Sequence, residues 1–550
     1  MLLSLAEASS APPHIFFSDL ESGPATGGEK NAGAFVTIYG ARFGAARGAS
    51  TVTVGGGAVA AYPAWSDSKI TFQLGRLAVT GPIVVKTAAG TSNSDIVFIV
   101  RKEGSCGPSQ DKECLYFVSA HGKEGGKGTF ASPWATVPYA VQHVPEGGII
   151  YTSMSQPGDD GQGWKSALTL RNSWCGAGKD GFSRALVAYP GATVTIGAVD
   201  GPDSGIRATD HSAGEGACSG HWTFAGLQLR GAASALILNG TSYANPSSAW
   251  RIVGNDMTCP NGDGASACWE TSLATGVQAY GNNIHDTGKA AASALYHGVY
   301  FSTDSNQIDF GWNTIANVHG CRGLQFYSTN LDAQSGYDLH DLKIHDNVIH
   351  DTQCDGIVIN TVDPSKGSVR IFNNLIYDAG KGPNNPEHSG NWACIYIAGD
   401  TNTGAKGSGS VEIEHNTLVN CGTFPSPPYW DGRAGVKNGG QNSALKINLR
   451  NNIIVEPKDV AYVICGQKWG CSGVYGSNNL FFGNGSAPGG DIANSINKDP
   501  MFVNAGQKDF RLSTGSGARG AGVGGNVNSD KDGIDRNAHR DLGALQFVEP

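Results

Sequence analysis

Apolar and polar positions along most of this chain recur in two short patterns. The first is a tripeptide in which an apolar residue follows an asparagine by two positions, as in Asn313-Thr-Ile315 and Asn347-Val-Ile349. It occurs eight times, with successive asparagines 27 to 42 residues apart, at Asn255, Asn282, Asn313, Asn347, Asn374, Asn416, Asn452 and Asn479. Stacked short strands tolerate loops of variable length, whereas a fixed-length helical repeat does not. The spacing therefore predicts a coil of strands.

The second pattern is a short segment between successive tripeptides in which apolar and polar residues alternate. It occurs at Gly298-Val-Tyr-Phe-Ser302, Gly323-Leu-Gln-Phe-Tyr327, Gly356-Ile-Val-Ile-Asn360, Cys394-Ile-Tyr-Ile-Ala398 and Gly435-Val-Lys437. Such alternation predicts a strand with one buried and one exposed face. Two or three such strands per turn predict an all-β fold, a right-handed parallel β-helix. We expect the asparagines to form an internal ladder at one corner, each amide bonding its equivalents above and below.

The first hundred residues follow a different pattern, in which short alternating strands are separated by turn residues. This pattern predicts a small β-sandwich. The segments Val36-Thr-Ile-Tyr-Gly-Ala-Arg-Phe-Gly44 and Val52-Thr-Val-Gly-Gly56 resemble the IPT/TIG immunoglobulin-like family. The resemblance implies an Ig-like domain over residues 12–102, acting as a spacer or binding appendage without catalytic residues.

Residues 103–550 are assigned to the β-helix. Two segments, Gly128-Thr-Phe-Ala-Ser-Pro-Trp-Ala-Thr-Val137 and Asp499-Pro-Met-Phe-Val503, resemble the first and last parts of β-helix polysaccharide-degrading proteins. This resemblance covers residues 115 to 548 and implies the fold rather than the chemistry, because hydrolases, lyases, epimerases and adhesins share it. An amphipathic helix containing Val137, Ala140, Val141 and Val144 is predicted to cap the open end of the coil.

Composition and charge narrow the class of protein. Glycine makes up 79 of 550 residues and only 15% of the chain is charged, which suits many turns and few surface helices. A net charge of −9 argues against nucleic acid as a partner. No apolar stretch is long enough to span a bilayer. We expect a monomer.

Cysteine usage indicates the compartment. The chain has 12 cysteines and no Cys-x-x-Cys pair, which favours disulfides over zinc sites, with buried thiols as the alternative. The sequence neighbours that we expect to pair are Cys106/Cys114, Cys175/Cys218, Cys259/Cys268, Cys394/Cys421 and Cys465/Cys471, while Cys321 and Cys354 stand at the heads of adjacent coils. Residues 1–11 resemble the tail of a signal peptide. Together these features predict a secreted protein, extracellular or periplasmic.

Side chains that point outward from the second pattern line up in columns. With Val299 and Phe301 facing inward, the columns contain Tyr300, Gln325, Val358, Tyr396 and Lys437, and Ser302, Tyr327, Asn360 and Ala398. His297, Arg322 and Asp355 stand at the starts of these strands. Tyrosine rings can cover the apolar faces of sugars while polar groups bond the hydroxyls, so the columns predict a sugar-binding groove. A solvated polar face is the alternative.

A polysaccharide lyase acting on uronic acid residues is the function predicted for this groove. Such an enzyme must neutralise the uronate carboxylate, remove the C5 proton and protonate the leaving oxygen. Arg322 or a bound Ca²⁺ would neutralise the carboxylate, and His297 or Lys437 would be the base. Tyr327 or Tyr300 would be the acid. The predicted substrate-binding residues are Gln325, Asp355, Asn360, Tyr396 and Trp392, the last as a wall of the groove.

Two other functions stay open. A glycoside hydrolase needs two carboxyl groups that flank the scissile bond, and Asp304, Asp355, Asp363 and Glu387 are available. The outward columns carry no Asp/Glu pair, which favours the lyase. A non-catalytic carbohydrate-binding or adhesive surface protein is the third interpretation. Ca²⁺ is compatible with the acidic loops, but none has the spacing of a defined calcium motif, so no metal ligand is assigned.

Overall fold

The computed structural model describes residues 11–549 apart from several internal segments. These segments are 103–113, 154–166, 178–180, 202, 209–217, 243, 291, 329–337, 383–391, 399–406, 425–431, 440–443, 466–469 and 537–538. Residues 1–10 of the predicted signal segment lie outside the described residues, and so do Cys106 and Glu387.

The N-terminal domain is a sandwich of two sheets, as predicted. One sheet contains, in spatial order, His14–Ser18, Phe35–Ala41, Lys69–Gln73 and Ala61–Trp65. The other contains Ser22–Pro24, Val97–Arg101, Gly81–Thr87, Thr51–Val54 and Gly57–Ala58, with Gly90–Thr91 paired to Gly81–Thr87. Alternate residues of the strands point inward, and Val36, Ile38, Ile70, Phe72 and Val85 are fully buried between the sheets. The burial of these alternate residues stabilises the domain.

Three parallel sheets form the rest of the molecule and confirm the predicted β-helix. Sheet 1 contains Leu115–Val118, Ile149–Thr152, Arg184–Ala188, Gly220–Ala225, Ser247–Val253, Ala274–Tyr280, Asn306–Gly311, Leu342–His345, Val369–Phe372, Gly409–Glu414, Leu445–Arg450, Val474–Ser477 and Asp491–Ala493. Sheet 2 contains Leu168–Thr169, Ser204–Ala208, Ser234–Asn239, Ser266–Ser272, Tyr296–Ser302, Leu324–Tyr327, Ile357–Asn360, Trp392–Ala398, Arg433–Asn438 and Ala461–Cys465. Sheet 3 contains Thr195–Ile196, Gln228–Arg230, Asp256–Cys259, Asn283–Thr287, Thr314–Val318, Val348–Thr352, Leu375–Tyr377, Thr417–Val419, Ile453–Glu456 and Leu480–Gly483.

Each turn of the coil passes through sheet 1, then sheet 3, then sheet 2. Strands of successive turns pair in register, so that Val299 lies beside Leu324 and Phe301 beside Phe326. Identical positions therefore stack, and the rings of Phe301 and Phe326 are parallel with centroids 5.0 Å apart. Apolar stacks of this kind fill the interior along the coil.

The asparagine of each repeated tripeptide lies at the corner between sheet 1 and sheet 3. The Oδ1 atom of Asn282 accepts hydrogen bonds from both the backbone N–H and the Nδ2 of Asn255, each at 3.0 Å. The Nδ2 of Asn282 donates to Asn313 Oδ1 at 2.9 Å and to Ile252 O at 2.8 Å. The same pattern continues through all eight asparagines to Asn479. The predicted ladder is confirmed.

The residue before each ladder asparagine turns the corner in the left-handed region of backbone space. Its φ is 62° at Gly254 and 63° at Gly281, but 55° at Trp312 and 54° at His415. A residue with a side chain adopts this conformation only at a cost in free energy. The buried side-chain hydrogen bonds of the asparagines offset that cost at every turn.

A short helix, Val137–His143, closes the first turn as predicted. It begins at Thr136, whose side chain accepts a hydrogen bond from Tyr139 N at 3.2 Å. Its buried residues Val137, Ala140 and Val141 join the interior of the coil. The helix therefore covers apolar groups that would otherwise be exposed at this end.

The N-terminal domain packs on the outer face of sheet 1. Phe17 contacts the rings of Tyr280 and Trp312, with centroids 5.4 Å away in each case. The hydroxyl of Tyr151 donates a hydrogen bond to Phe35 O at 2.7 Å. Buried apolar residues of the domain and of the first turns form one cluster. This part of sheet 1 is therefore buried on both faces.

The C-terminal segment covers other parts of the coil. Arg536 is fully buried and donates hydrogen bonds to Asn373 Oδ1 at 3.1 Å and Gly543 O at 2.8 Å. The antiparallel hairpin Phe502–Asn504 and Asp509–Leu512 packs on sheet 3, where Phe510 contacts Tyr377. These contacts protect the corner and the outer face of sheet 3.

Five disulfides lie within the described residues. They are Cys175–Cys218, Cys259–Cys268, Cys321–Cys354, Cys394–Cys421 and Cys465–Cys471. The four predicted pairs whose cysteines are both described are confirmed, and the two cysteines at the heads of adjacent coils also pair. This number of disulfides indicates an extracellular or periplasmic protein. Within the described residues, no helix has the length and apolarity needed to cross a membrane.

Replacing Asn282 with alanine tests the asparagine ladder. The substitution removes four buried hydrogen bonds: it leaves the backbone N–H of Asn255 without its side-chain acceptor and takes one bond each from the Asn255 amide, the Asn313 amide and Ile252 O. Each orphaned buried group costs about 1–3 kcal/mol, so we expect a clear fall in the midpoint of thermal unfolding measured by circular dichroism. The matched control is Asn283→Ala, because the neighbouring Asn283 is exposed and bonds Asp256 at the surface. Equal midpoints for the two variants would contradict a stabilising ladder.

Candidate functional site

The outer face of sheet 2 carries one side chain per turn in a central column. The strand register sets this column as Arg207, Ile237, Glu270, Tyr300, Gln325, Val358, Tyr396, Lys437 and Ile464. Successive members lie about 4.8 Å apart along the coil, as expected for neighbouring strands. Val299, Phe301, Leu324 and Phe326 are completely buried, so the assignment of inward and outward positions made from the sequence is confirmed.

A second column forms at the starts of these strands. Glycines at 298 and 323 face the interior, because a Cβ added at Gly298 would lie 3.2 Å from Ile315 Cγ2 and one at Gly323 would lie 3.0 Å from Ile349 Cγ2. The residues before the inward-facing glycines therefore point outward on successive turns. These residues are His297, Arg322 and Asp355, and the equivalent positions on the next turns are Ala393, Ala434 and Ala461. Along the coil, the residues of this column are thus polar on three turns and are alanines on the next three.

A cleft of about 250 Å³ spans both columns and reaches the ends of the strands. It is lined by Ala265, Leu295, His297, Tyr300, Arg322, Gln325, Tyr327, Val358, Asn360 and Tyr396. The lining combines a guanidinium, an imidazole, three phenols and two amides. Among the described residues, no carboxylate contributes to it. The cleft is therefore suited to a ligand that carries both hydroxyl groups and negative charge.

Arg322 is the cationic group of the cleft, and two neighbours hold it in place. Its Nη1 donates a hydrogen bond to Gln325 Oε1 at 2.7 Å. Its Nε lies 3.8 Å from Asp355 Oδ2, so the two charges attract without a hydrogen bond. The side chain is 17% exposed, and part of the guanidinium can contact a ligand. This arrangement presents a fixed positive charge at the bottom of the cleft.

Asp355 was predicted to contact substrate, and the structure corrects this prediction. Its side chain is completely buried behind Arg322, and its Oδ1 accepts a hydrogen bond from Ala393 N at 2.9 Å. Burial raises the pKa of this carboxyl, although the nearby Arg322 and Lys437 charges oppose the shift. Asp355 therefore positions Arg322 rather than meeting a sugar.

His297 lines the cleft but is only 2% exposed. Burial, reinforced by the positive charge of Arg322, lowers the pKa of its imidazole well below the ordinary value of 6.5. The backbone N–H of Arg322 points toward Nδ1 at a long distance of 3.5 Å. The low pKa and this contact both favour a neutral ring. His297 is thus an uncharged group beside a cation.

Three tyrosines supply phenol groups along the cleft. The hydroxyl of Tyr300 donates a long hydrogen bond of 3.4 Å to Tyr327 O, and its ring stands perpendicular to His297. Burial raises the pKa of Tyr300 above its ordinary value of 10.0. Burial, together with the Asp355 carboxylate, raises the pKa of Tyr396 to about 12. Both phenols therefore keep their protons at neutral pH.

The other predicted site residues lie in different surroundings. Asn360 lines the cleft beside Tyr396. Lys437 continues the central column but is not part of the cleft lining, and its Nζ lies 5.3 Å from the centre of the Tyr396 ring. Trp392 was predicted to form a wall, but it is 1% exposed and packs on Phe424 with ring centroids 5.6 Å apart. Because it is buried, Trp392 cannot cover a sugar ring.

Sequence reasoning missed Glu270, which occupies the central column one turn before Tyr300. Burial raises the pKa of Glu270 despite hydrogen bonds from neighbouring side chains. The segment Ala267-Cys-Trp-Glu-Thr271 aligns with His297-Gly-Val-Tyr-Phe301 in the strand register, so extending the alignment one turn earlier would have found it. Ala265 and Leu295, which add to the apolar lining of the cleft, stand just before the strands of their turns and carry no chemical signal in the sequence.

Of the carboxyl groups considered for a hydrolase, the three that the structure describes do not face each other across this cleft. Asp304 and Asp363 lie beyond the ends of their strands, and Asp363 Oδ1 accepts hydrogen bonds from Ser365 Oγ and Ser408 N. Burial raises the pKa of Asp304 to about 7. Asp355 is buried as described above, and Glu387 lies outside the described residues.

Within the described part of the chain, the only group of three close metal-ligand side chains is Cys394, Cys421 and Glu456. Its two cysteines form a disulfide with each other, so they are not available as thiolate ligands. Binding of Ca²⁺ stays a prediction, and no metal ligand is assigned.

Comparisons with known proteins support the N-terminal assignment. The IPT/TIG domain family matches residues 22–100. No curated protein matches the chain. Among solved structures, pectate lyase Pel9A is 14% identical with a TM-score of 0.46, covering 79% of this chain and 96% of its own. The complex of XylC with xylose is 12% identical with a TM-score of 0.45, covering 79% and 99% respectively. A rhamnogalacturonan lyase is 12% identical with a TM-score of 0.38, covering 71% and 90%.

The coupling between Arg322 and His297 can be measured directly. Replacing Arg322 with glutamine removes the positive charge that helps to lower the pKa of His297, so we expect this pKa to rise toward 6.5 while burial still holds it below that value. Titration of the imidazole by NMR measures the shift. Arg511→Gln is the matched control, because Arg511 is 64% exposed and bonds only Asp509 among the described side chains. An unchanged His297 pKa in the Arg322 variant would contradict the coupling.

Proposed function

We propose that this protein is a carbohydrate-active enzyme, and more narrowly a polysaccharide lyase that acts by β-elimination on uronic acid residues. The observation that carries the proposal is the composition of the cleft on sheet 2. A positioned guanidinium, a neutral imidazole and protonated phenols line it, and no described carboxylate does. Elimination at a uronate needs these three kinds of group, whereas hydrolysis needs a carboxyl pair.

In this proposal each group acts on one part of the uronate. Arg322 pairs with the carboxylate and stabilises the negative charge that develops on it when the C5 proton leaves. Neutral His297 accepts that proton. The electron pair of the C5–H bond forms the C4=C5 double bond, the C4–O bond breaks, and Tyr327 or Tyr300 gives its proton to the departing oxygen. The products are one chain with a new reducing end and one chain that begins with the unsaturated uronate, and proton transfer from the His297 imidazolium to the tyrosine phenolate restores both groups.

The roles of the remaining residues follow from their positions. Gln325 fixes Arg322, and Asn360 and Tyr396 face the cleft, where they can bond hydroxyls or cover a ring. Asp355 holds Arg322 from behind. Lys437, the alternative base, lies outside the cleft lining and is therefore assigned to an adjacent part of the substrate site. The proposed substrate is an acidic polysaccharide met outside the cell or in the periplasm.

A glycoside hydrolase is the second candidate function, and one observation favours it. The pKa of Asp304, raised by burial to about 7, is what a general acid requires at neutral pH. Asp304 lies beyond the end of the strand Tyr296–Ser302 rather than in the cleft, and its Oδ1 accepts a hydrogen bond from Asn306 at 2.6 Å. It therefore serves as the control position for the enzymatic test.

Incubation with a panel of polyuronates and neutral polysaccharides separates the candidates. We expect the ultraviolet absorbance of the unsaturated uronate to rise together with reducing ends on at least one polyuronate. Arg322→Ala should lower kcat/KM by at least about a hundredfold, because the developing charge loses its main partner. Tyr327→Phe and Tyr300→Phe, tested separately, identify the acid by the larger loss of kcat.

The outcomes of this assay decide between the proposals. Asp304→Asn should leave elimination largely intact, since Asp304 has no role in it. Reducing ends without ultraviolet absorbance, lost in Asp304→Asn, would establish hydrolysis instead. No product on any substrate, with binding retained, would favour the non-catalytic binding protein.

The low pKa of His297 predicts the pH dependence of the reaction. A base must be unprotonated, and His297 stays neutral below pH 6.5 because burial and Arg322 disfavour its charged form. The acidic limb of the kcat/KM profile should therefore fall below pH 6.5. A limb at or above that value would contradict the assignment of His297 as the base.

A further inference from the structure

A second cavity lies on the outer face of sheet 1, beyond the part that the N-terminal domain covers. It has a volume of about 420 Å³ and is lined by Ser368, Val369, Arg370, Ser410, Glu412, Glu414, Asn448, Arg450 and Asn526. Most of these residues belong to three successive strands, Val369–Phe372, Gly409–Glu414 and Leu445–Arg450. Asn526 belongs to the C-terminal segment and forms a wall. We call this cavity the sheet 1 groove.

The charged groups of the sheet 1 groove are paired with one another. Glu414 is 3% exposed and lies between two arginines, 2.8 Å from Arg450 Nη2 and 3.5 Å from Arg370 Nη2. Glu412 lies 3.6 Å from the same Arg450 nitrogen. Two positive and two negative charges therefore cancel within the groove. An ionic ligand would meet no net charge of opposite sign, unlike in the cleft on sheet 2.

Hydrogen-bonding groups nevertheless remain available there. The side chains of Arg370, Arg450 and Glu412 are 25%, 27% and 29% exposed, so part of each guanidinium, with its N–H donors, and part of the carboxylate can contact a ligand. Glu412 and Asn448 are joined by a hydrogen bond of 2.6 Å, which holds two planar side chains side by side on adjacent turns. Such fixed donors and acceptors match the hydroxyl groups of a neutral polyol.

An aromatic ring stands at one end of the same row. Tyr475 follows Asn448 in the strand register and is 38% exposed. Its hydroxyl lies 3.1 Å from Ser410 Oγ, which in turn donates to Glu412 Oε1 at 2.8 Å. The ring is therefore tied to the groove by its own hydroxyl while part of its surface stays open. An exposed, positioned ring beside polar groups is typical of sugar-binding surfaces.

We infer that the sheet 1 groove is a second carbohydrate-binding site, separate from the cleft, and that it takes a neutral oligosaccharide. The inference goes beyond the proposed function, because it concerns another sheet and needs no catalysis. A protein with both sites would hold uncharged glycan on sheet 1 while its cleft faces an acidic chain. The groove is rigid, since its side chains come from paired strands and the C-terminal segment closes one side.

Calorimetric titration of the full chain with neutral hexasaccharides of glucose, xylose, mannose and galactose tests the inference. We expect at least one of them to bind, with an affinity that falls about tenfold or more in Tyr475→Ala and in Asn448→Ala. Lys446→Ala is the matched control, because Lys446 is exposed two residues earlier on the same strand and does not line the groove. Arg322→Ala should leave this binding unchanged.

Hydrogen exchange supplies a readout that does not depend on the variants. Bound hexasaccharide should slow exchange at Asn526, which lines the groove, and at its immediate neighbours, and not at the cleft. Three results would overturn the inference: no heat with any neutral hexasaccharide, loss of binding in Arg322→Ala but not in Tyr475→Ala, or tighter binding of a uronate hexasaccharide at the groove. None of them bears on elimination, which is measured separately.

Discussion

The hydrogen bonds between stacked asparagines hold the corner between sheets 1 and 3 on eight successive turns, from Asn255 to Asn479. At this corner the chain reverses through a left-handed residue, including bulky ones such as Trp312. The buried amide of the next residue compensates by bonding both its neighbours and the backbone of an adjacent turn. Because this bend is identical from turn to turn, strands align without slipping. Every column of side chains on the outer faces depends on that alignment.

The strand register brings residues that are distant in sequence together in one site. His297, Arg322 and Asp355 are 25 and 33 residues apart in sequence, yet they stand on three successive turns at the same position. Small residues before and after them leave the polar groups in a recess, and the buried carboxylate of Asp355 fixes the cation above it. A lone buried carboxylate would be costly, so Asp355 and Arg322 stabilise each other. The stacking of successive strands thus determines the positions of these side chains more than the loops do.

The outer faces of the three sheets differ in which segments of the chain cover them. The N-terminal domain covers the first turns of sheet 1, and the C-terminal hairpin packs on sheet 3. The cleft lies on sheet 2. These added segments bury apolar surface that would otherwise be exposed on a coil of this length, and they also build the wall of the sheet 1 groove. Stability and the shape of the binding surfaces therefore arise from the same contacts.

The repeated tripeptide predicted the ladder, and strand alternation predicted which side chains face outward, because both depend only on local periodicity. The strand register alone places Arg322, Tyr300 and Gln325 next to one another. How deeply the side chains at the starts of the sheet 2 strands are buried could not be predicted in this way. Whether Asp355 meets solvent depends on the inward-facing Gly356 and on the side chains above it, and Trp392 is buried by packing on Phe424, which lies in a loop. Such contacts leave no periodic signal in the sequence.

The proposed reaction requires that Arg322 receives the carboxylate of an acidic sugar in the cleft on sheet 2. A crystal structure of the variant that lacks the acid, Tyr327→Phe or Tyr300→Phe as the kinetics identify it, with a bound uronate trisaccharide tests this most directly, because loss of the acid should preserve the substrate. The account predicts a uronate carboxylate about 2.7–2.9 Å from the Arg322 guanidinium nitrogens, with C5 facing His297. A trisaccharide bound with its carboxylates away from Arg322, or bound on another sheet, would contradict it.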